Sequence, residues 1–300
     1  MKSLPSHPFF VVFLCLFSMG LYAQNDSQVK AREYAENVFS GRQLINSQTT
    51  TTLQPRSWSF GIQHRFGKVG LDSSLTQQFL GLDLPSIIRF SFSWAISDRF
   101  YVEIGRNNFQ KTIDLEGKYL FLKQSSDFKV PVSCAVYFNA ALRTGPFPRV
   151  PANAYFAGDT TVFVYKPSHR LAYNTQLIVS SKLTDRISVQ LNPIMIYQNL
   201  APLHHDNFTF VLSLGGRYKT GLSSAIIAEY AHVFNNRGGK FYNPFSLGVE
   251  FGTLGHTFQV FISNATKILE SQLYTSSAAQ LANGEFLLGF NLKRTFWRKH

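Results

Sequence analysis

Residues 88–96 read IRFSFSWAI, and this stretch decides the fold because apolar and polar side chains alternate along it. Phe90, Phe92 and Trp94 occupy one set of positions, while arginine, serine and alanine occupy the other. Successive side chains of a β-strand point to opposite faces of the sheet. A period of two therefore predicts a strand with one apolar and one polar face.

The same period continues from Trp58 almost to the C-terminus and predicts twelve strands, each bounded by turn-forming residues. The predicted strands span residues 58–65, 88–96, 100–105, 113–121, 130–139, 171–182, 187–192, 208–218, 225–234, 245–251, 257–263 and 286–293. Pro193 predicts a bulge or an end for the seventh strand, because proline lacks the N–H that a ladder needs.

The predicted connections alternate in length. Short links follow the even-numbered strands, as in 183–185 and 252–255, whereas long links follow most odd-numbered strands, as in 144–167 and 265–284. Such alternation is typical of a membrane barrel with short periplasmic turns and long extracellular loops. A sheet that crosses lipid must also close, because no water is available to its backbone. We therefore predict an all-β fold, a closed up-and-down antiparallel transmembrane β-barrel of about 12 strands.

The N-terminus has the order of a secretory signal. Lys2 precedes a largely apolar stretch, residues 9–22, and Ala23 provides a small residue at the break. This stretch is too short for a membrane helix. Cys15 follows Leu14 rather than a small residue, which disfavours a lipoprotein anchor. We predict a signal peptide over 1–23, export, and residence in the cell outer membrane.

Residues 24–55 differ from the barrel and predict a separate segment before the transmembrane domain at 56–300. The segment has apolar residues on one helical face, which predicts a short amphipathic helix, and these are Ala31, Tyr34, Ala35, Val38 and Phe39. A polar tract with Thr49–Thr52 follows. Two interpretations stay open: a periplasmic N-terminal lead-in, or a small plug for the barrel.

The charge and the cysteine content of the chain limit which binding partners and cross-links we expect. The formal charge is +12, yet the positive residues are scattered and the chain is exported, which disfavours nucleic acid. The charge fits lipid headgroups of the bilayer or a lumen that favours anions. Cys134 is the one cysteine of the predicted mature chain, so no intramolecular disulfide can form.

Several segments resemble a family of outer-membrane β-barrel proteins from Bacteroidetes-type bacteria, known as a domain of unknown function. The matching segments are VFSGRQLIN (38–46), QHRFG (63–67), SDRF (97–100), GR (105–106), GGRYK (215–219), YNPFSLG (242–248), GHTFQ (255–259), GFN (289–291) and RTF (294–296). The resemblance covers nearly the whole mature chain and implies a barrel in the outer membrane. It implies no activity. The tail 297–300 runs past the aromatic residue at which many such barrels stop.

Charged residues on the polar faces are the candidate lumen-lining set. These are Arg65, Arg89, Glu103, Asp114, Glu116, Lys118, Arg217, Glu250 and Lys293. They predict either a charged constriction that selects solutes or an ion-pair network that fills a narrow barrel. Both stay open because barrels of about eight strands are filled by side chains and barrels of sixteen or more strands leave a channel, and twelve strands lie between these sizes. Counting Arg143, Lys182 and Glu229 as well, seven positive and five negative residues give +2, a slight lean toward anions.

Enzyme and metal chemistry have little support in the sequence. His64, His232 and His256 lie in predicted strands, but none belongs to a nucleophile motif. Adjacent histidines at 204–205 before Asp206 do not by themselves converge on one metal ion. We predict no cofactor and no enzyme. The leading hypothesis is a pore or transporter for small solutes; the alternatives are a plugged structural or docking barrel and a membrane-embedded hydrolase.

Overall fold

A computed structural model describes residues 33–36, 38–151, 154–156, 161–201, 205–234, 241–253, 255–276 and 278–297. The predicted signal peptide at 1–23 lies outside the described residues. Within them the chain forms twelve antiparallel strands that close into one barrel, in which each strand pairs with its sequence neighbours and β1 pairs with β12. The predicted fold is confirmed.

The strand boundaries agree with the predicted segments to within a few residues at most ends. The strands are β1 Ser57–Arg65, β2 Ile87–Ala95, β3 Phe100–Asn107, β4 Thr112–Leu122, β5 Ser133–Arg143, β6 Leu171–Lys182, β7 Ile187–Gln198, β8 Phe208–Lys219, β9 Ser224–Val233, β10 Phe245–Thr253, β11 His256–Ser263 and β12 Leu287–Trp297. Two short α-helices lie in the connections, α1 Ser73–Gln77 and α2 Glu270–Leu273. Single 3-10 turns occupy Phe79–Gly81, Phe109–Lys111, Pro167–Arg170 and Leu281–Asn283.

The alternating apolar and polar residues of the sequence point to the outer and inner faces of the barrel wall, respectively. In β2, Phe90 and Trp94 are 46% and 45% exposed on the outer face, whereas Arg89 and Ser93 are 3% and 0% exposed toward the lumen. An apolar outer band suits lipid, and a polar inner face is normal for a membrane barrel. No helix in the described part of the chain is long and apolar enough to cross a membrane, a finding that does not bear on β-barrels.

The two ends of the barrel differ as predicted. Turns 96–99, 183–186 and 220–223 are short, β11 begins three positions after β10 ends at Thr253, and turn 123–132 is somewhat longer. In that longer turn the Ser125 hydroxyl donates to Asp127 at 2.6 Å and lowers the pKa of this carboxyl to about 2. The opposite end carries the long loops, with one exception, because β3 and β4 are joined there by residues 108–111 alone.

Three local predictions are wrong or incomplete. Strand β7 does not end at Pro193 but continues to Gln198, because the missing N–H only interrupts the β6–β7 ladder between Gln176–Ile194 and Val179–Leu191. Strand β5 begins at Ser133, so residues 130–132 belong to the turn. Of the predicted amphipathic helix, residues 33–36, 38 and 39 are not helical, and 31, 32 and 37 lie outside the described residues.

Candidate functional site: a lumen filled by two chain segments

The lumen of the barrel is occupied by two segments of the chain itself. We call residues 38–53 the lumenal hairpin and residues 264–276 the lumenal loop. Most residues of both segments are buried, although neither belongs to the wall. The lumenal hairpin precedes β1 at the turn end, and the lumenal loop connects β11 to β12 at the loop end.

The lumenal hairpin is a tight reversal of polar chain. The Leu44 N–H donates to Ser47 O at 2.8 Å, and the Thr49 N–H donates to Arg42 O at 3.0 Å. The Thr49 hydroxyl also donates to Gly41 O at 2.7 Å. These internal bonds close the reversal but leave most of its other backbone groups without a partner inside the hairpin. Because buried backbone groups must be satisfied, the barrel wall has to supply the rest.

At the hairpin tip, the carboxylate of Glu229 on β9 accepts a cluster of hydrogen bonds. The Asn46 and Ser47 N–H groups donate to it at 2.9 and 3.1 Å, and the Ser47 hydroxyl donates at 2.9 Å. The Asn46 side-chain amide donates to it as well. On the other side, the Arg65 guanidinium donates to Asn46 Oδ1 at 3.0 Å. Bonds to a charged acceptor are stronger than neutral ones, so Glu229 is the main polar latch of the tip.

The arms of the hairpin are held by amide and ammonium donors. Lys118 Nζ donates to the carbonyl oxygens of Arg42 and Thr49, both at 2.8 Å. Asn192 Nδ2 on β7 donates to Gln48 O at 2.8 Å. The inward side chains therefore take the place that water would occupy in an open lumen.

An ion-pair network fills the lumen beside the hairpin. Arg89 Nη1 lies 2.9 Å from Glu103 Oε1, and the same guanidinium contacts Asp114 and Glu116. The Tyr137 hydroxyl donates to Glu116 at 2.7 Å. Gly105 leaves the space for this guanidinium, since a Cβ there would clash with the Arg89 nitrogens. Buried charges require such partners.

The nine candidate residues all face the lumen. They form three groups: Arg89, Glu103, Asp114 and Glu116, with Lys293 3.8 Å from Glu103; Arg217 and Glu250, paired at 2.8 Å; and Arg65 and Lys118, which donate to the hairpin. Their contribution to solute selection stays a prediction. The other predicted inward cations lie at the rims, with Arg143 donating to Pro146 O and Lys182 beside Asp185.

The lumenal loop is held by apolar packing. Leu273 and Tyr274 are 3% and 1% exposed, and with Ala265 they join a cluster of inward-facing wall residues on β7, β8 and β9. Those wall residues are Ile194, Ile196, Val211, Ala231 and Val233. This part of the wall is apolar on both faces. The run Ile194-Met195-Ile196, which breaks the alternation of apolar and polar residues, is the sequence signal of this surface.

Polar side chains connect the lumenal loop to its surroundings. Glu270 Oε1 accepts from Gln48 Nε2 of the hairpin at 3.1 Å, so the two segments meet. The Gln272 side chain crosses to the opposite wall, accepting from Asn107 at 3.2 Å and donating to Thr112 at 2.9 Å. No local pattern identifies Glu270 and Gln272, because their partners Gln48, Asn107 and Thr112 lie more than 150 positions away. Arg42 is nearer in the chain to Ser59 and Glu103, but it belongs to a segment without periodicity.

The remaining candidates do not assemble into a site. His64 lies on the outer face, where its ring stacks on Phe290 with centroids 5.1 Å apart. Within the described residues no three histidine, cysteine or acidic side chains converge as metal ligands. His204, one of the two adjacent histidines that the sequence does not predict to be metal ligands, lies outside the described part.

A family profile described as "Membrane bound beta barrel domain (DUF5777)" matches residues 39–296, which confirms the predicted resemblance but not its bacterial source. No curated protein matches the chain. Among solved structures, a KdgM porin is similar at 11% identity, with TM-score 0.47 over 79% of this chain and 99% of that one. A NanC porin is similar at 6% identity, with TM-score 0.49 over 80% of this chain and 100% of that one. The COG4313 outer membrane channel from Pseudomonas putida F1 is similar at 10% identity, with TM-score 0.48 over 82% of this chain and 98% of that one.

Proposed function

Because this chain belongs to the family of membrane-bound β-barrel domains, we propose that it is a channel for small polar solutes which the lumenal hairpin holds closed. The family and the closed antiparallel architecture point to the outer membrane. The proposal assigns the chain no catalytic step. The identity of the solute is not part of it.

The observation that carries the proposal is the polar contact between hairpin and wall. Glu229, Lys118 and Asn192 hold the hairpin by hydrogen bonds that water can replace when the segment leaves. The apolar cluster of the hairpin with Ile227 and Phe261 is the contact that opposes withdrawal. A hydrogen bond that is exchanged for water contributes only about 0.5–1.5 kcal/mol net, or about 1.5–3 kcal/mol with a charged partner. A lumen lined by such groups is stable when filled with water, as a conducting channel must be.

The path of the chain supports withdrawal of the hairpin. Before the hairpin, the Ala35 N–H donates to Gln124 O in the turn 123–132 at 2.9 Å. After the hairpin, β1 begins at Ser57 at the same barrel end. Both arms therefore leave through the turn end, so the hairpin can retract without threading the chain through the barrel.

The lumenal loop is a second obstacle, and its placement defines the path of the solute. Its apolar residues lie against β7–β9, whereas it reaches β3 and β4 through the side chain of Gln272. A solute path therefore runs along the charged wall of β2–β4, past Arg89 and Glu116. In the rival interpretation, a structural or docking barrel, both segments would stay in place permanently.

Planar-bilayer conductance of a double variant, Glu229→Gln with Gln272→Ala, tests the proposal. The first change weakens the tip latch and the second frees the loop from the charged wall, so we expect discrete channels where the parent protein is silent. The reversible control adds Thr50→Cys and Ser180→Cys in a Cys134→Ser background. These two hydroxyls are hydrogen-bonded to each other, so a disulfide there fixes the hairpin to the wall.

Current that is absent in the cross-linked double variant and returns on reduction supports a hairpin-gated channel. The single variants show which obstacle dominates. Glu285→Gln serves as a matched control, since this loop carboxylate pairs with Lys68 far from the hairpin. Silence of the reduced double variant, with the barrel folded, would overturn the proposal and leave a structural or docking role.

A further inference from the structure

A cavity of about 80 Å³ lies between the lumenal hairpin and the wall formed by β11 and β12. Its charged lining residues are Arg42 of the hairpin and Lys293 of β12, and no acidic side chain is among the residues that line it. Threonine hydroxyls, including those of Thr257 and Thr295, and the Asn291 amide complete a polar surface. The cavity is thus built half by the hairpin and half by the wall.

Both cations keep hydrogen-bonding capacity that the protein does not use. Arg42 donates from Nη2 to Ser59 at 3.0 Å, and the same nitrogen lies 3.6 Å from Glu103 Oε2, but the buried Nη1 has no partner within the described residues. The Lys293 ammonium lies 3.8 Å from Glu103 Oε2, beyond hydrogen-bond distance, and that oxygen already accepts from Ser93. Buried donors without partners are unfavourable, and a bound ligand would relieve this.

The residues that line the cavity determine which class of ligand it can bind. Two positive side chains beside the single Glu103 carboxylate leave this site net positive, which disfavours a cation. Arg and Lys donors with neighbouring hydroxyls are what carboxylate and phosphate oxygens recognise. A water takes about 30 Å³ of liquid volume, so the cavity has room for one group the size of a carboxylate or a phosphate. We propose that this cavity is a binding site for a small oxyanion, held between Arg42 and Lys293.

The site has a consequence for the hairpin. Because half of its ligating groups belong to the hairpin and half to the wall, the complete site exists only while the hairpin is inserted. A ligand that binds one of two states shifts the equilibrium toward that state, so the oxyanion stabilises the inserted hairpin. Binding in the closed barrel does not require the channel to open, and this proposal therefore stands apart from the proposed function.

Isothermal titration of the refolded full-length protein in neutral detergent tests the site, with inorganic phosphate and acetate as separate probes. We expect saturable binding of at least one probe to the parent protein. Lys293→Met removes one charge-assisted hydrogen bond and should weaken that binding about tenfold or more. Lys182→Met is the matched control, because this lysine also faces inward at the turn end but lies on β6 beside Asp185; it should leave binding unchanged.

Thr295→Val is the second variant, for use if Lys293→Met does not fold. It keeps the side-chain volume at the cavity but removes a hydroxyl, so we expect it to weaken binding of the probe a few-fold. Binding of phosphate alone or of acetate alone supports the site and distinguishes a tetrahedral from a carboxylate ligand. An absence of binding to the parent protein would mean that the cavity holds only water and would overturn the proposal. Equal losses in Lys293→Met and Lys182→Met would overturn it too, since they would indicate unspecific attraction to positive charge.

Discussion

The lumenal hairpin and the lumenal loop fill the same barrel by different physical means. The hairpin is bound by polar groups such as Glu229 and Lys118 and by an apolar cluster that contains Leu44 and Ile45, whereas the loop buries Leu273 and Tyr274 against an apolar part of the wall. Water can replace the polar contacts of the hairpin, but it cannot compensate for lost apolar contacts in either segment. The larger polar share of the hairpin's contacts is what would allow one filled lumen to combine a removable segment with a permanent one.

The magnitudes show that the hydrogen bonds of the hairpin are easily exchanged, while its apolar cluster with Ile227 and Phe261 opposes withdrawal. Burial of one large apolar side chain contributes about 1.5–3 kcal/mol, and withdrawing it into water loses that contribution. An ordinary hydrogen bond exchanged for water loses only about 0.5–1.5 kcal/mol. The loop is also continuous with wall strands at both ends, β11 and β12, while the hairpin joins the wall only at β1. Three variants test this contrast.

The largest effect is expected from Leu273→Ala in the lumenal loop. Leu273 is 3% exposed inside an apolar cluster, and deletion of such a side chain lowers the free energy of unfolding by about 2–5 kcal/mol. Urea unfolding of the detergent-refolded barrel measures it. The matched control is Leu222→Ala, because Leu222 is 97% exposed in a turn and should change the free energy of unfolding by less than about 0.5 kcal/mol. Equal effects of the two variants would contradict the apolar anchoring of the loop.

A smaller effect, on the hairpin and on the β7 residue Gln190 that donates to it, is expected from Gly215→Val on β8. A Cβ at Gly215 would lie 2.7 Å from Leu44 Cδ2 at the hairpin tip, whereas a Cβ at the neighbouring Gly216 would have no atom closer than 4.0 Å. Overpacking costs about 1–3 kcal/mol, and 1.4 kcal/mol corresponds to a tenfold shift of the hairpin toward withdrawal.

Trypsin cleavage after Arg42 measures this shift, because Arg42 is buried in the lumen and becomes accessible only when the hairpin leaves. We expect the cleavage rate of folded Gly215→Val to rise about tenfold, and that of Gly216→Val to match the parent protein. An unchanged rate in Gly215→Val would mean that the hairpin is as permanent as the loop, which would remove the distinction between them.

The barrel wall could be predicted from the sequence because the pattern that specifies each strand lies within that strand. The alternation from Phe90 to Trp94 specifies one strand by itself, and twelve repetitions with alternating links specify closure. The nine charged candidates also follow from this alternation, since every second residue must face inward. The predicted end of the seventh strand at Pro193 is wrong, because β6 and β8 keep β7 in the same register on both sides of the hydrogen bond that proline cannot donate.

The contents of the lumen could not be predicted in the same way. The hairpin has no period of two or of 3.6, and its polar residues look like those of a solvated linker. Its latch, Glu229, is 183 residues from Asn46 in the chain. The apolar inner faces of β7–β9 were a signal of a covered surface, yet nothing local identifies residues 264–276 as what covers them. Long-range complementarity, not propensity, decides this part of the molecule.

The smallest effect is expected from Thr52→Val at the base of the lumenal hairpin, and it tests the contrast most finely. The Thr52 hydroxyl donates to Asp98 O at 2.7 Å, so the change removes one neutral hydrogen bond worth about 0.5–1.5 kcal/mol. Hydrogen exchange should therefore accelerate about two- to tenfold at the hairpin amides of Leu44 and Thr49, and stay unchanged at the loop amide of Leu273. Thr76→Val, in an exposed helix, is the matched control. Equal acceleration at all three amides would mean that hairpin and loop leave together, joined through Gln48 and Glu270, and that the lumen has one plug instead of two.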